Sequence, residues 1–211
     1  CSIRSRCRTP ARSPPPPSPG SRRRAGRLAE RADAARLPPA RGRAAILAGS
    51  CSRATLGQVA FARERMPALM LDPLAMPDAG ALAAAALAWI EAQGDDAPVL
   101  IAASDTPDRV AAVQSKLGRE AAGALVETAL ATIAEALIAR GVGRLIVAGG
   151  ETSGAVVSRL GLTRLEIGPE IDPGVPWTFA PERGLHLALK SGNFGARDFF
   201  PKALSLIEEM P

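Results

Sequence analysis

The segment Gly149-Gly150-Glu151-Thr152-Ser153-Gly154 follows directly on the apolar run Leu145–Ala148. Where a buried strand gives way to a helix, unpaired backbone N–H groups and the helix dipole converge, and that suits a phosphate. Gly149 and Gly150 let the backbone approach phosphate oxygens closely. Thr152 and Ser153 carry hydroxyl donors, and Glu151 could hold Mg2+ through water or cap the helix. No Lys stands where a Walker A loop needs one. A plain structural turn is the competing reading of the two glycines.

Two more segments have the same character. Gly49-Ser50-Cys51-Ser52 ends the apolar run Ala44–Ala48. In an open α/β sheet, ligands bind outside the carboxyl ends of the strands, so Ser50 and Ser52 are candidates for phosphate, ribose or a base edge. The alternative is that Ser52 caps a helix. No local base is evident to activate Cys51 as a nucleophile. Lys190-Ser191-Gly192-Asn193-Phe194-Gly195 again follows a strand-like run. Lys190 could meet a phosphate and Gly192 could pass close to a nucleotide. The alternative is a turn anchored by Phe194.

The elements that would position these loops follow from periodicity. Short buried strands are expected at 44–48, 67–72, 98–103 and 144–148. Helices are expected over 54–65, over 79–93 with Asp78 as cap, over 119–140 ended by Gly141, and over 155–160. Ser104-Asp105-Thr106-Pro107 is a further helix-start signal. After residue 163 the rhythm changes to short strands at 163–168, 175–180 and 184–190, with a closing helix over 198–210. The expected fold is α/β, a mostly parallel sheet flanked by helices, with additional short strands near the C-terminus. The three loops then converge on one nucleotide pocket at one edge of the sheet.

Composition constrains the rest. Hydrophobic residues make up 47% of the 211-residue chain but aromatic residues only 3%, so Ala, Leu, Val and Ile must build the core. The net charge of +5 is an average of two unlike parts. Residues 1–43 carry 12 Arg against one Asp and one Glu, and 44–211 are mildly acidic. Nucleic-acid binding is therefore not expected of the folded part. Residues 1–43 read as a disordered Arg/Pro-rich head, of the kind a fragment or a GC-rich gene read in a wrong frame produces.

Cys1, Cys7 and Cys51 form neither a disulfide framework nor a metal spacing, which points to a reducing, cytoplasmic setting. The single histidine, His186, reads as a strand residue. No apolar run is expected to span a membrane, the longest being Ala79–Ile90. A homo-oligomer is left open.

Four ordered segments carry a resemblance: Ala48–Ser52, Val147–Val156, Ile167–Trp177 (which contains Pro173-Gly174-Val175-Pro176-Trp177) and Ala188–Gly195. Over about 44–211 the chain resembles the C-terminal nucleotide-binding domain of the four-carbon acid sugar kinases. The Gly149–Ser153 segment, with Glu at 151, is most similar to the 3-oxo-tetronate kinase branch. The resemblance implies ATP and Mg2+, and phosphorylation of 3-dehydrotetronate at its C4 hydroxyl. It places Ser50, Ser52, Gly149, Gly150, Glu151, Thr152 and Gly192 against ATP. It also implies a separate N-terminal domain that binds the sugar acid, which residues 1–43 do not resemble. The catalytic base is then expected outside residues 44–211, and this chain alone is expected to be inactive. Two rival readings remain. One is a non-catalytic nucleotide-binding module acting with a partner chain. The other is a Rossmann-type oxidoreductase, against which the lack of G-x-G-x-x-G argues.

Overall fold

The computed structural model describes residues 36–94, 97–103 and 107–209. The expectations for residues 1–35, and for a cap at Ser104-Asp105-Thr106, lie outside the described residues. Packing divides the chain at Ala34/Ala35, and every described element lies in the second unit.

Seven strands form one sheet in the order β2-β3-β1-β4-β7-β6-β5. They are β1 (Arg43–Ala48), β2 (Ala68–Met70), β3 (Val99–Ala102), β4 (Val142–Ala148), β5 (Glu166–Asp172), β6 (Val175–Ala180) and β7 (Leu185–Lys190). The helices are α1 (Arg53–Ala62), α2 (Ala79–Glu91), α3 (Pro107–Leu117), α4 (Arg119–Ala139), α5 (Gly150–Leu160) and α6 (Phe199–Glu208). Strands β2, β3, β1, β4 and β7 are parallel, and β6 and β5 add an antiparallel hairpin beyond β7. The expected α/β class holds.

The parallel strands are continuous apolar runs because both faces are covered. Alternate residues separate the two cores. Ala45, Leu47, Ile101, Leu145 and Val147 face α2, α4 and α5. Ala44, Ile46, Ala48, Leu100 and Ile146 face α1 and α6. Asp78 accepts from the Ala81 N–H at 2.7 Å, as an N-cap should. The indole of Trp177 donates to the Ala203 carbonyl at 3.0 Å and ties the hairpin to α6.

Four details differ from the sequence reading. Residues 36–43, expected to belong to the disordered head, pack against the sheet, with Leu37 buried in the core and the Pro38 and Gly42 carbonyls bonded to His186 and Arg144. Helix α5 begins at Gly150, so most of the glycine segment is itself the first helical turn. Strand β5 runs later than expected, because Gly161 ends α5 in the left-handed conformation and 162–165 are spent leaving it. Pro169 then lies inside β5, which an edge strand tolerates. Finally, α4 is apolar and long enough to cross a membrane, contrary to the expectation that no segment would be. In the fold it packs along α2 and α5, with Ala129, Leu130, Ile133 and Leu137 buried.

Candidate functional site

The parallel strands all end on one edge of the sheet. The chain leaves β1 for α1 on one face and leaves β4 for α5 on the other. Adjacent loops that diverge in this way open a crevice between them, the switch point at which α/β sheets take ligands. A cleft of about 510 Å³ lies at this place. Its floor includes Gly49, Ser50, Gly149, Gly150, Glu151 and Thr152. Strand β2 contributes Asp72 beyond its end, and α3 and α4 supply the opposite wall.

The two loops interlock through the backbone. The Gly49 and Ser50 N–H groups both donate to the Ala148 carbonyl, at 3.0 and 3.2 Å. The Gly149 N–H donates to the Lys190 carbonyl at 2.8 Å. These three donors are therefore committed within the protein. The first intrahelical bond of α5 runs from the Ser153 N–H to the Gly149 carbonyl. The N–H groups of Gly150, Glu151 and Thr152 precede it and have no intrahelical partner, as in any helix. All three residues line the cleft, and a helix end of this kind suits an anion. Gly149 has φ +134°, and a Cβ there would stand 2.9 Å from the Thr152 hydroxyl and 3.2 Å from the Ser50 nitrogen. Only glycine fits that junction without strain.

Ser52 and Gly192 do not line the cleft but meet beside it. The Ser52 hydroxyl donates to the Gly192 carbonyl at 2.5 Å and accepts from the Thr55 N–H at 3.2 Å. It thus caps α1 as well as fixing the Gly192 loop. A Cβ on Gly192 would collide with the Ser50 hydroxyl, so Gly192 presses against a residue of the cleft floor. Cys51 is exposed and free.

Lys190, the last residue of β7, is fully buried. Its ammonium donates to the Thr55 hydroxyl at 3.0 Å and to the Ser191 and Gly192 carbonyls at 3.1 and 3.2 Å. Burial pushes its pKa down to about 8 from 10.5. The ammonium braces the loop from beneath.

Sequence reasoning missed Thr55 and Gln58 on α1. Thr55 also donates to the Gly192 carbonyl at 2.9 Å. The Gln58 amide donates to the Phe194, Gly195 and Ala196 carbonyls at 2.9–3.0 Å. It also missed Asp72 and Arg109, paired at 2.8 Å across the cleft margin. Burial raises the Asp72 pKa, but the Leu74 and Ala75 amides and the Arg109 guanidinium outweigh it and hold the carboxyl below its ordinary value. The rule that parallel strands end on one edge was the signal that could have found Asp72. His186 is buried in β7, with Nε2 2.9 Å from the Pro38 carbonyl. Burial depresses its pKa, the Pro38 bond opposes this and Arg144 adds to it.

Comparison with known proteins gives the family and the fold. The family described as the nucleotide-binding C-terminal domain matches residues 45–200. A 3-oxo-tetronate kinase of Cupriavidus necator is 55% identical over 184 residues, 86% of this chain and 42% of the relative. A 3-oxo-tetronate kinase of Salmonella typhimurium is 42% identical over 168 residues, 78% of this chain and 40% of the relative. Among solved structures, a Salmonella typhimurium LT2 protein superposes with TM-score 0.76 at 40% identity, covering 83% of this chain and 43% of that one. A Haemophilus influenzae protein gives TM-score 0.73 at 38% identity, covering 81% and 42%. This chain thus spans less than half the length of the relatives it matches. With the family's match running from the middle of β1 into α6, the chain belongs to the nucleotide-binding C-terminal domain family, in the branch that includes the 3-oxo-tetronate kinases.

Proposed function

We propose that this chain is the nucleotide-binding half of an ATP-dependent kinase acting on a four-carbon sugar acid, 3-dehydrotetronate, at its C4 hydroxyl. One observation carries the nucleotide part. The N-terminus of α5 and the Gly49–Ser50 turn face one cleft at the β1/β4 switch point. The names of the relatives carry the sugar-acid part.

In this reading the unpaired N–H groups at the start of α5 receive the phosphates. The Ser50 and Thr152 hydroxyls supply further donors. Ser52, Thr55 and Lys190 act indirectly, by fixing Gly192 against Ser50. Glu151, which lies in the first turn of α5 and lines the cleft, would in this reading hold Mg2+ through water. Among the described residues no group of three metal-ligating side chains exists. Mg2+ bound with a nucleotide takes most of its ligands from phosphate and water. Bound there, the metal would neutralise charge on the transferring phosphoryl group.

The transfer joins the substrate oxygen to the γ-phosphorus, breaks its bond to the β,γ-bridging oxygen and releases ADP. The sugar acid and the acceptor of its hydroxyl proton belong, in this proposal, to a domain outside residues 44–211. Phosphoryl transfer depends mainly on positioning and electrostatics. The chain alone should therefore bind Mg·ATP without turning over the sugar acid.

The test is an ADP-release assay on the chain with 3-dehydrotetronate, alone and with the sugar-binding domain of a relative added in trans. Turnover only in the mixture supports the proposal. Turnover by the chain alone contradicts the division of labour. Binding of Mg·ATP with no turnover in either case favours a nucleotide-binding module.

A further inference from the structure

The cleft has two chemically different ends. One is the amide and hydroxyl end at α5. The other is the wall formed by α3 and α4, where Val110 and Val113 stand one turn apart on α3, and Ala122 and Val126 one turn apart on α4. The three valines are only half-buried. Nothing in the proposed phosphate chemistry uses them.

Two observations at this wall favour a guest. Gly123 sits inside the 21-residue helix α4, where glycine costs about 1 kcal/mol relative to alanine. No packing among the described residues demands it. A Cβ at Gly123 would meet only the Glu127 carboxylate, at an ordinary 3.6 Å. Gly123 lines the cleft, so the missing side chain leaves room there rather than for a neighbouring element. In addition, the Gln114 side chain reaches the same cleft and has no hydrogen-bond partner among the described residues.

We infer that the α3–α4 wall is the nucleoside end of the site. The base lies flat against Val110, Val113 and Val126, over Gly123, with its polar edge toward the Gln114 carboxamide. This rests on the nucleotide reading above and deepens it. Set against the three valines themselves, the hydroxyls and carboxylate of a sugar acid would be left unpaired; Arg109, Arg119, Glu120 and Glu127 of the same two helices also line the cleft, away from that apolar patch in this assignment. A base has an apolar face and a polar edge, which match the valines and the amide respectively.

The test uses the full chain and Gly123→Leu. Leucine favours helix more than glycine does, so the variant should melt no lower than the wild type. Its side chain would fill the proposed slot. Calorimetric titrations with Mg·ATP and with Mg·tripolyphosphate separate the two ends. The expected result is at least about a tenfold loss of ATP affinity, the scale of a base contact, with tripolyphosphate binding unchanged. Gly123→Ala should show a smaller loss in the same direction. Unchanged ATP affinity in Gly123→Leu would place the base elsewhere and overturn the inference. Equal losses for both ligands would also overturn it, because the effect would then lie at the phosphate end. A folded wild-type chain that binds neither ligand would bring down the nucleotide reading itself and the inference with it.

Discussion

Lys190 is buried among oxygens, with no carboxylate paired to it among the described residues. Its pKa is about 8 in the fold against an ordinary 10.5, so between these values the unfolded chain binds more protons than the folded one. Stability must then rise with pH across that window and carry its full penalty below it. Lys190→Met keeps the volume but not the proton. Urea melts at several pH values from 7 to 10.5 should show a rise in the wild type that is missing in the variant. Parallel curves would mean that the ammonium is not destabilised by burial. Gly149 makes a different residue-scale prediction. Its φ of +134° and the 2.9 Å approach to Thr152 leave no place for a side chain. Gly149→Val should cost about 1–3 kcal/mol of stability, measured by the same melts.

At the scale of elements, the Gly192 loop is held as a unit by α1. Thr55 and Ser52 take the Gly192 carbonyl, and Gln58 takes three successive carbonyls from Phe194 to Ala196. Asp172 fixes the far end, accepting from the Ala196 N–H at 2.8 Å and pairing with Lys202. Gln58→Leu should destabilise the fold by about 1 kcal/mol, the net loss of the hydrogen bonds from the buried Gln58 amide to these part-buried carbonyls, and should raise hydrogen exchange in 192–198 above all. Uniform exchange changes across the sheet would instead mean that the clamp is not local.

The strands of this frame were legible in the sequence, because a strand buried on both faces must be an unbroken apolar run, as in Ala44–Ala48 and Val99–Ala102. The convergence of Ser50 with Gly149–Thr152 was legible too, since parallel strands end on one edge. The clamp was not. Gln58 and its carbonyl partners stand more than 130 residues apart, and no local periodicity reports such a pairing. Periodicity also puts the start of α5 too late, because consecutive glycines read as a break, whereas Gly150 is the first helical residue.

For the whole molecule, the central claim is that the β1/β4 crevice binds the phosphates of a nucleotide. The chain covers 42% of its Cupriavidus necator relative, so binding rather than turnover is the property to test on it. Gly150 is the position for that test. It lacks positive φ, and a Cβ there meets nothing within 4 Å. An acidic side chain in the first turn of a helix favours the helix. Gly150→Glu should therefore fold as the wild type does while setting a carboxylate where the phosphates belong. Calorimetric titration of the full chain with Mg·ATP should give saturable binding in the wild type and at least about a tenfold loss, roughly 1.4 kcal/mol, in the folded variant. Equal affinity in the two proteins would contradict the claim, because the nucleotide would then not lie on the N-terminus of α5.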